Sequence, residues 1–142
     1  MLIALMTVAG CSTPGGIGVT PQAASSDYFV TKGAGFALHL DGQRAIDSCR
    51  YSILLAPRKS IEHPLYLRTR FENPSDPSQP LITDTDVQPG SGDIHISSSE
   101  VRGLQSHVNY KVEVLIFDSA ERTHQVGQHV QYVRYTQPSF AK

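Results

Sequence analysis

Val101-Arg-Gly-Leu-Gln-Ser-His-Val-Asn-Tyr-Lys-Val-Glu-Val114 is the most legible segment of this 142-residue chain. Tyr110, Val112 and Val114 alternate with Lys111 and Glu113, which gives an extended strand one apolar side and one charged side. Leu115 and Phe117 carry the charged side onward as apolar residues, so that end is covered either by the chain's own loops or by a partner. Asp118-Ser-Ala-Glu-Arg122 then supplies a hairpin into a last strand from His124 to Thr136.

Outward from this segment the same period of two recurs. Phe36, Leu38 and Leu40 alternate with Ala37 and His39, and Asp41-Gly42 supplies a turn. Cys49, Tyr51, Ile53 and Leu55 share one face of a run that Pro57 ends. Leu65, Leu67, Thr69 and Phe71 face one way, and Tyr66, Arg68, Arg70 and Glu72 face the other. Asn73-Pro-Ser-Asp-Pro-Ser-Gln-Pro80 is a stiff loop that no strand or helix crosses. Leu81 to Val87 reads as a short edge strand, and Ile94 and Ile96 alternate with Asp93 and His95. No apolar stripe of helical period lasts ten positions. The expectation is an all-β chain, a single antiparallel β-sandwich of about seven strands over residues 27–142.

Leu104, followed six residues later by Tyr110, resembles the tyrosine corner of fibronectin type III domains. There a tyrosine hydroxyl bonds back to the backbone where the chain passes between sheets. The resemblance implies a fibronectin III-like or immunoglobulin-like domain. Ser106 stands where that family usually has proline, and its early core tryptophan is missing. The likeness is strong over these fourteen residues and rests elsewhere on strand spacing alone.

At the other end, Leu2 to Ala9 is an apolar run closed by Gly10-Cys11. Val8-Ala9-Gly10-Cys11 resembles the lipobox of bacterial lipoproteins: an aliphatic residue, two small ones, then cysteine. That resemblance implies a signal peptide over 1–10, lipidation of the Cys11 thiol, and cleavage before it. Ser12, rather than aspartate, implies sorting to the outer membrane. A signal peptide should open on lysine or arginine, and Met1 is followed by Leu2, so the true start is expected upstream. The alternative is an N-terminal strand ending in Ala-Gly-Cys, in which case a Cys11–Cys49 disulfide stays open. Ser12 to Ser26 is uncharged and dominated by Gly, Pro, Ser and Thr, so 11–26 is expected to be a flexible tether with a reach of roughly 20 Å. An ordered loop packed on the domain is the other possibility.

Composition narrows function by exclusion. Apolar residues make up 39%, charged residues 18%, and the formal net charge is −1. That charge gives no long-range attraction to nucleic acid. No run of 18 apolar residues is present, so no helix is expected to span a bilayer. The chain has neither a Gly-x-Ser-x-Gly elbow nor a phosphate-cradling glycine loop, and no cofactor motif. The expectation is a protein that is not an enzyme.

Cys49, on a strand face with Tyr51, Ile53 and Leu55, reads as a small core hydrophobe, since Arg50 points the other way. The six histidines (His39, His63, His95, His107, His124 and His129) show no metal-ligand spacing and read as surface or rim residues. A metal site joining His95 and His129 across strands is the alternative. Asp84, Asp86, Gly90 and Asp93 vaguely resemble a calcium loop, but Gln88, Pro89 and His95 occupy its key positions. Acids that keep an edge strand from pairing are the better account. Tyr66, Arg68 and Arg70 form an aromatic–basic stripe of the residue types that dominate binding hot spots, and are the preferred partner surface.

The functional expectation is a lipid-anchored envelope lipoprotein facing the periplasm, acting as a non-enzymatic module that binds another envelope protein. The alternative is a glycan- or peptidoglycan-binding module with Tyr66, Tyr132 and Tyr135 as aromatic platforms. A metal-binding or hydrolytic protein is the third possibility.

Overall fold

The computed structural model describes residues 23–43 and 45–139. The lipobox, Cys11 and the tether as far as Gln22 lie outside the described residues. Seven strands form: β1 (Phe29–Leu40), β2 (Ile46–Pro57), β3 (Leu65–Phe71), β4 (Leu81–Val87), β5 (Ile94–Ser97), β6 (Val108–Phe117) and β7 (Gln125–Tyr135). They make two antiparallel sheets, β1-β2-β5 and β4-β3-β6-β7, with no helix among the described residues. The chain therefore changes sheet after β2, β4 and β5. The all-β expectation of seven strands holds.

Alternation decides which residues fill the space between the sheets. Tyr51, Ile53 and Leu55 from β2 are fully buried, as are Leu67 and Phe71 from β3 and Val112, Val114 and Ile116 from β6. Phe36 packs its ring 4.6 Å from Tyr51, whose other side meets Phe71 at 5.0 Å across the sheets. The Tyr51 hydroxyl donates to the carbonyl of Glu72 at 2.6 Å, tying β2 to the end of β3. Tyr110 is also buried, and its hydroxyl accepts the backbone N–H of Gln105 at 2.7 Å.

Turn chemistry sets the register. Asp41 Oδ1 accepts the N–H groups of Gln43 and Ala45, closing β1 onto β2. In the proline-rich loop, Asn73 Nδ2 donates to the Gln79 carbonyl, and Asp76 Oδ1 accepts from Ser78. That closure aligns Arg68 with Asp84 and Arg70 with Ile82 across the β3–β4 pair.

Two features differ from the pattern in the sequence. β1 begins at Phe29, seven residues before the Phe36–Leu40 alternation, and a bulge between Thr31 and Gly33 resets its faces. Ala24 and Ser25, assigned by composition to the tether, already pair with the domain: Thr31 N–H donates to the Ala24 carbonyl, and Ser25 bridges Val30. The structured domain thus starts before Asp27.

Thr69 is fully buried, and its hydroxyl has no hydrogen-bond partner in the described structure. A buried, unpaired hydroxyl is destabilising relative to a methyl group of the same shape. Thr69→Val is expected to raise stability by about 1 kcal/mol, seen as a higher thermal midpoint. An unchanged or lower midpoint would mean the hydroxyl finds a partner.

Candidate functional site

The outer face of the four-stranded sheet collects the candidate stripe. Tyr66, Arg68 and Arg70 alternate outward along β3, flanked by Ile82, Asp84 and Asp86 on β4 and by Glu113, Leu115 and Phe117 on β6. The three do not form one uniform basic surface. Arg68 makes a two-pronged pair with Asp84, both contacts at 2.9 Å, and this pairing holds the Asp84 carboxyl below its usual range. Tyr66 is half-buried beneath Arg122, whose guanidinium carbon lies 5.7 Å from the ring centroid.

Arg122, which the sequence did not single out, lies in the β6–β7 turn. Its side chain is only 12% exposed. It donates to Asp86 at 2.7 Å and to the carbonyls of Leu67 and Thr85 at 3.3 and 3.4 Å. It thereby clamps the turn onto the β3–β4 ladder. Phe117 is buried and Leu115 half-buried. Arg70 remains exposed, next to Ile82, which is 48% exposed. On the same face, beyond Glu113 and Lys111, Tyr132 of β7 is 45% exposed.

The other tyrosines do not form a platform with it. Tyr132 faces outward, whereas Tyr135 is buried among Phe36 and the core, at a 5.4 Å ring separation. With Tyr66 under Arg122, the three named rings share no exposed plane.

Nor do the acids of β4 and its following turn converge. Asp84 faces Arg68, Asp86 faces Arg122, and Asp93 pairs with Lys32 at 2.9 Å. Among the described residues no three His, Cys, Asp or Glu side chains come close enough to hold a metal ion. His95 and His129 lie on different surfaces. His95 is exposed on the outer face of the three-stranded sheet, with its Nε2 2.7 Å from Ser52 Oγ. His129 lies between the sheets.

The burial of His129 corrects the expectation of surface or rim histidines: it is 1% exposed. Its Nε2 is 2.7 Å from Thr31 Oγ1, and its Nδ1 is 2.8 Å from Ser26 Oγ. Ser26 Oγ also contacts the Phe29 carbonyl and accepts the Phe29 N–H. One arrangement satisfies every group: Thr31 donates to Nε2, Nδ1–H donates to Ser26, and Ser26 donates to the Phe29 carbonyl. That ring is neutral, and burial lowers its pKa. The neighbouring Gln131, also buried, accepts the Ala24 N–H at 2.7 Å. These two polar side chains hold the start of the domain against β1 and β7.

The lowered pKa gives a pH dependence of defined sign. Above the ordinary histidine value of about 6.5, folded and unfolded rings are both neutral and the full stability is present. As pH falls through that value, the unfolded chain takes up the proton first, so stability declines until the folded ring also titrates. The urea midpoint of the protein should therefore fall between pH 8 and pH 5. In His129→Gln that component should be missing, and an equal fall in both proteins would remove His129 as its source.

Cys49 is buried at 5% exposure and has no disulfide partner among the described residues. Burial pushes its thiol up to about 11, with a smaller opposing contribution from the Arg50 backbone N–H. At pH 8 the folded protein should leave Cys49 unalkylated by iodoacetamide for as long as it stays folded, and urea should expose it to rapid labelling. Prompt labelling of the native protein would show that the strand opens locally.

No protein-family model matches the chain, and no curated protein matches it.

Proposed function

We propose that this chain is an envelope lipoprotein, anchored through Cys11 to the periplasmic side of the outer membrane, whose sandwich is a non-enzymatic module that binds another envelope protein. The observation that carries the binding reading is the outer face of the four-stranded sheet, where Ile82 and Tyr132 stand exposed on either side of Arg70 and Glu113. Aromatic, aliphatic and arginine side chains on a rigid sheet are the components of interface hot spots. Lipidation rests on Val8-Ala9-Gly10-Cys11, and two acyl chains would anchor the protein stably. The fibronectin III-like assignment draws support from the strand order and from the bond between Gln105 N–H and the Tyr110 hydroxyl.

Two experiments test the two halves. Intact mass of detergent-extracted protein, beside Cys11→Ala, should show cleavage before Cys11 and added lipid that the variant lacks; an unmodified chain retaining Met1 overturns the anchor. A photo-crosslinking residue at Ile82 or Tyr132, introduced in the bacterial envelope, should give one discrete adduct that the same probe at Ser78 does not. Equal labelling from all three positions overturns the binding surface.

A further inference from the structure

We propose that the open edge of β1, from Gly33 to Leu40, pairs with the same edge of a second copy of this chain, joining two three-stranded sheets into one. Among the described strands, β1 bonds only to β2, so alternate N–H and C=O groups along its other side face outward. The start of that side is occupied at Val30 and Thr31 by Ser25 and Ala24. Beyond it, Gly33-Ala-Gly-Phe-Ala-Leu-His-Leu40 carries no acidic or basic residue apart from His39, and no proline.

Two of the other edges are protected in the usual ways: β4 presents Asp84 and Asp86, and β5 is four residues long. The β7 edge carries the charge of Arg134. An edge guarded by charge repels its own copy, whereas a neutral edge is compatible with itself. That self-compatibility is the argument for a second copy as the occupant.

Geometry limits how two copies can meet. Phe36 and Leu38 face inward opposite Tyr51 and Cys49, while Gly35 and Ala37 face outward. Opposed residues in an antiparallel pair share a face, so the two-fold axis must pass through a residue, Phe36 or Ala37, and not between them. In either register the half-buried Phe36 and Leu38 rows continue into the partner's core face. Gly33, Gly35 and Ala37 are small on the outward side, and the one bulky outward group, His39, falls opposite Gly33 or Gly35 of the second copy.

The test exploits the open space outside Gly35, where an added Cβ meets nothing within 4 Å. Sedimentation of the full chain, with reductant present, should show the mass rising from one chain to two across a micromolar to near-millimolar series. Gly35→Lys with Ala37→Lys places lysines opposite lysines in both registers, and should hold the protein at one chain with its thermal midpoint retained. Mixing it with the Gly35→Glu, Ala37→Glu variant should restore a two-chain species. A wild type that stays at one chain throughout, as it would if its own N-terminal segment covered this edge, overturns the proposal. So does a dimer that persists in both charged variants.

Discussion

Tyr51→Ala is expected to lower the free energy of unfolding by about 4 kcal/mol, and Tyr51→Phe by about 1–2 kcal/mol. The ring is fully buried between Phe36 of its own sheet and Phe71 of the other. Truncation therefore removes its transfer energy and leaves a cavity that two other rings line. The hydroxyl adds a separate contribution, because it satisfies the Glu72 carbonyl at the point where the two sheets are tied. Burial also raises its pKa, with the Glu72 charge acting in the same direction, so the hydroxyl stays protonated and remains a donor at any ordinary pH. Domains of this size are stable by only about 5–15 kcal/mol, so the alanine variant gives up a large share. Urea denaturation followed by circular dichroism measures both values, provided the slope is unchanged. If the phenylalanine variant loses as much as the alanine variant, the hydrogen bond and not the packing carries Tyr51. If the alanine variant loses under about 1 kcal/mol, the rings do not interlock.

The strands were legible wherever one face was apolar and the other polar, as along Leu65–Phe71 and Val108–Phe117. The first half of β1 was not, because Gly33, Ala34 and Gly35 carry no alternation and a bulge shifts the faces at Lys32. On β7 the rule inverts. Val130 and Tyr132 face outward while His129 and Gln131 are buried. These polar side chains tolerate burial because Ala24, Ser26 and Thr31 supply their hydrogen bonds, and those partners lie about a hundred residues away in sequence. The stripe of Tyr66, Arg68 and Arg70 was readable as one face of a strand. Its charge state was not, since that depends on the register across the proline-rich loop that aligns Arg68 with Asp84. Arg122 gave no signal at all, because its role exists only once the turn folds over β3.

Arg122→Ala should accordingly destabilise the domain by about 2 kcal/mol, and Arg122→Gly by about 1 kcal/mol less than that. The planar guanidinium serves three main-chain carbonyls, Asp86 and the face of Tyr66 at once, which neither a methyl group nor a lysine can reproduce. The difference between the two variants comes from the backbone. Arg122 sits at φ 56, in the left-handed region, where glycine is unstrained and alanine is not. The ion pair itself should contribute little of the loss, because Asp86 is 60% exposed and salt screens it. The penalty should therefore be nearly the same in low and high salt. A penalty that vanishes in high salt would make Arg122 a surface ion pair and not a clamp. Because the same side chain covers Tyr66, the alanine variant also uncovers an aromatic ring on the proposed partner face. A crosslinking probe at Ile82 should then report whether that face binds through its apolar and aromatic groups, by stronger labelling, or through the fixed position of the turn, by loss of labelling.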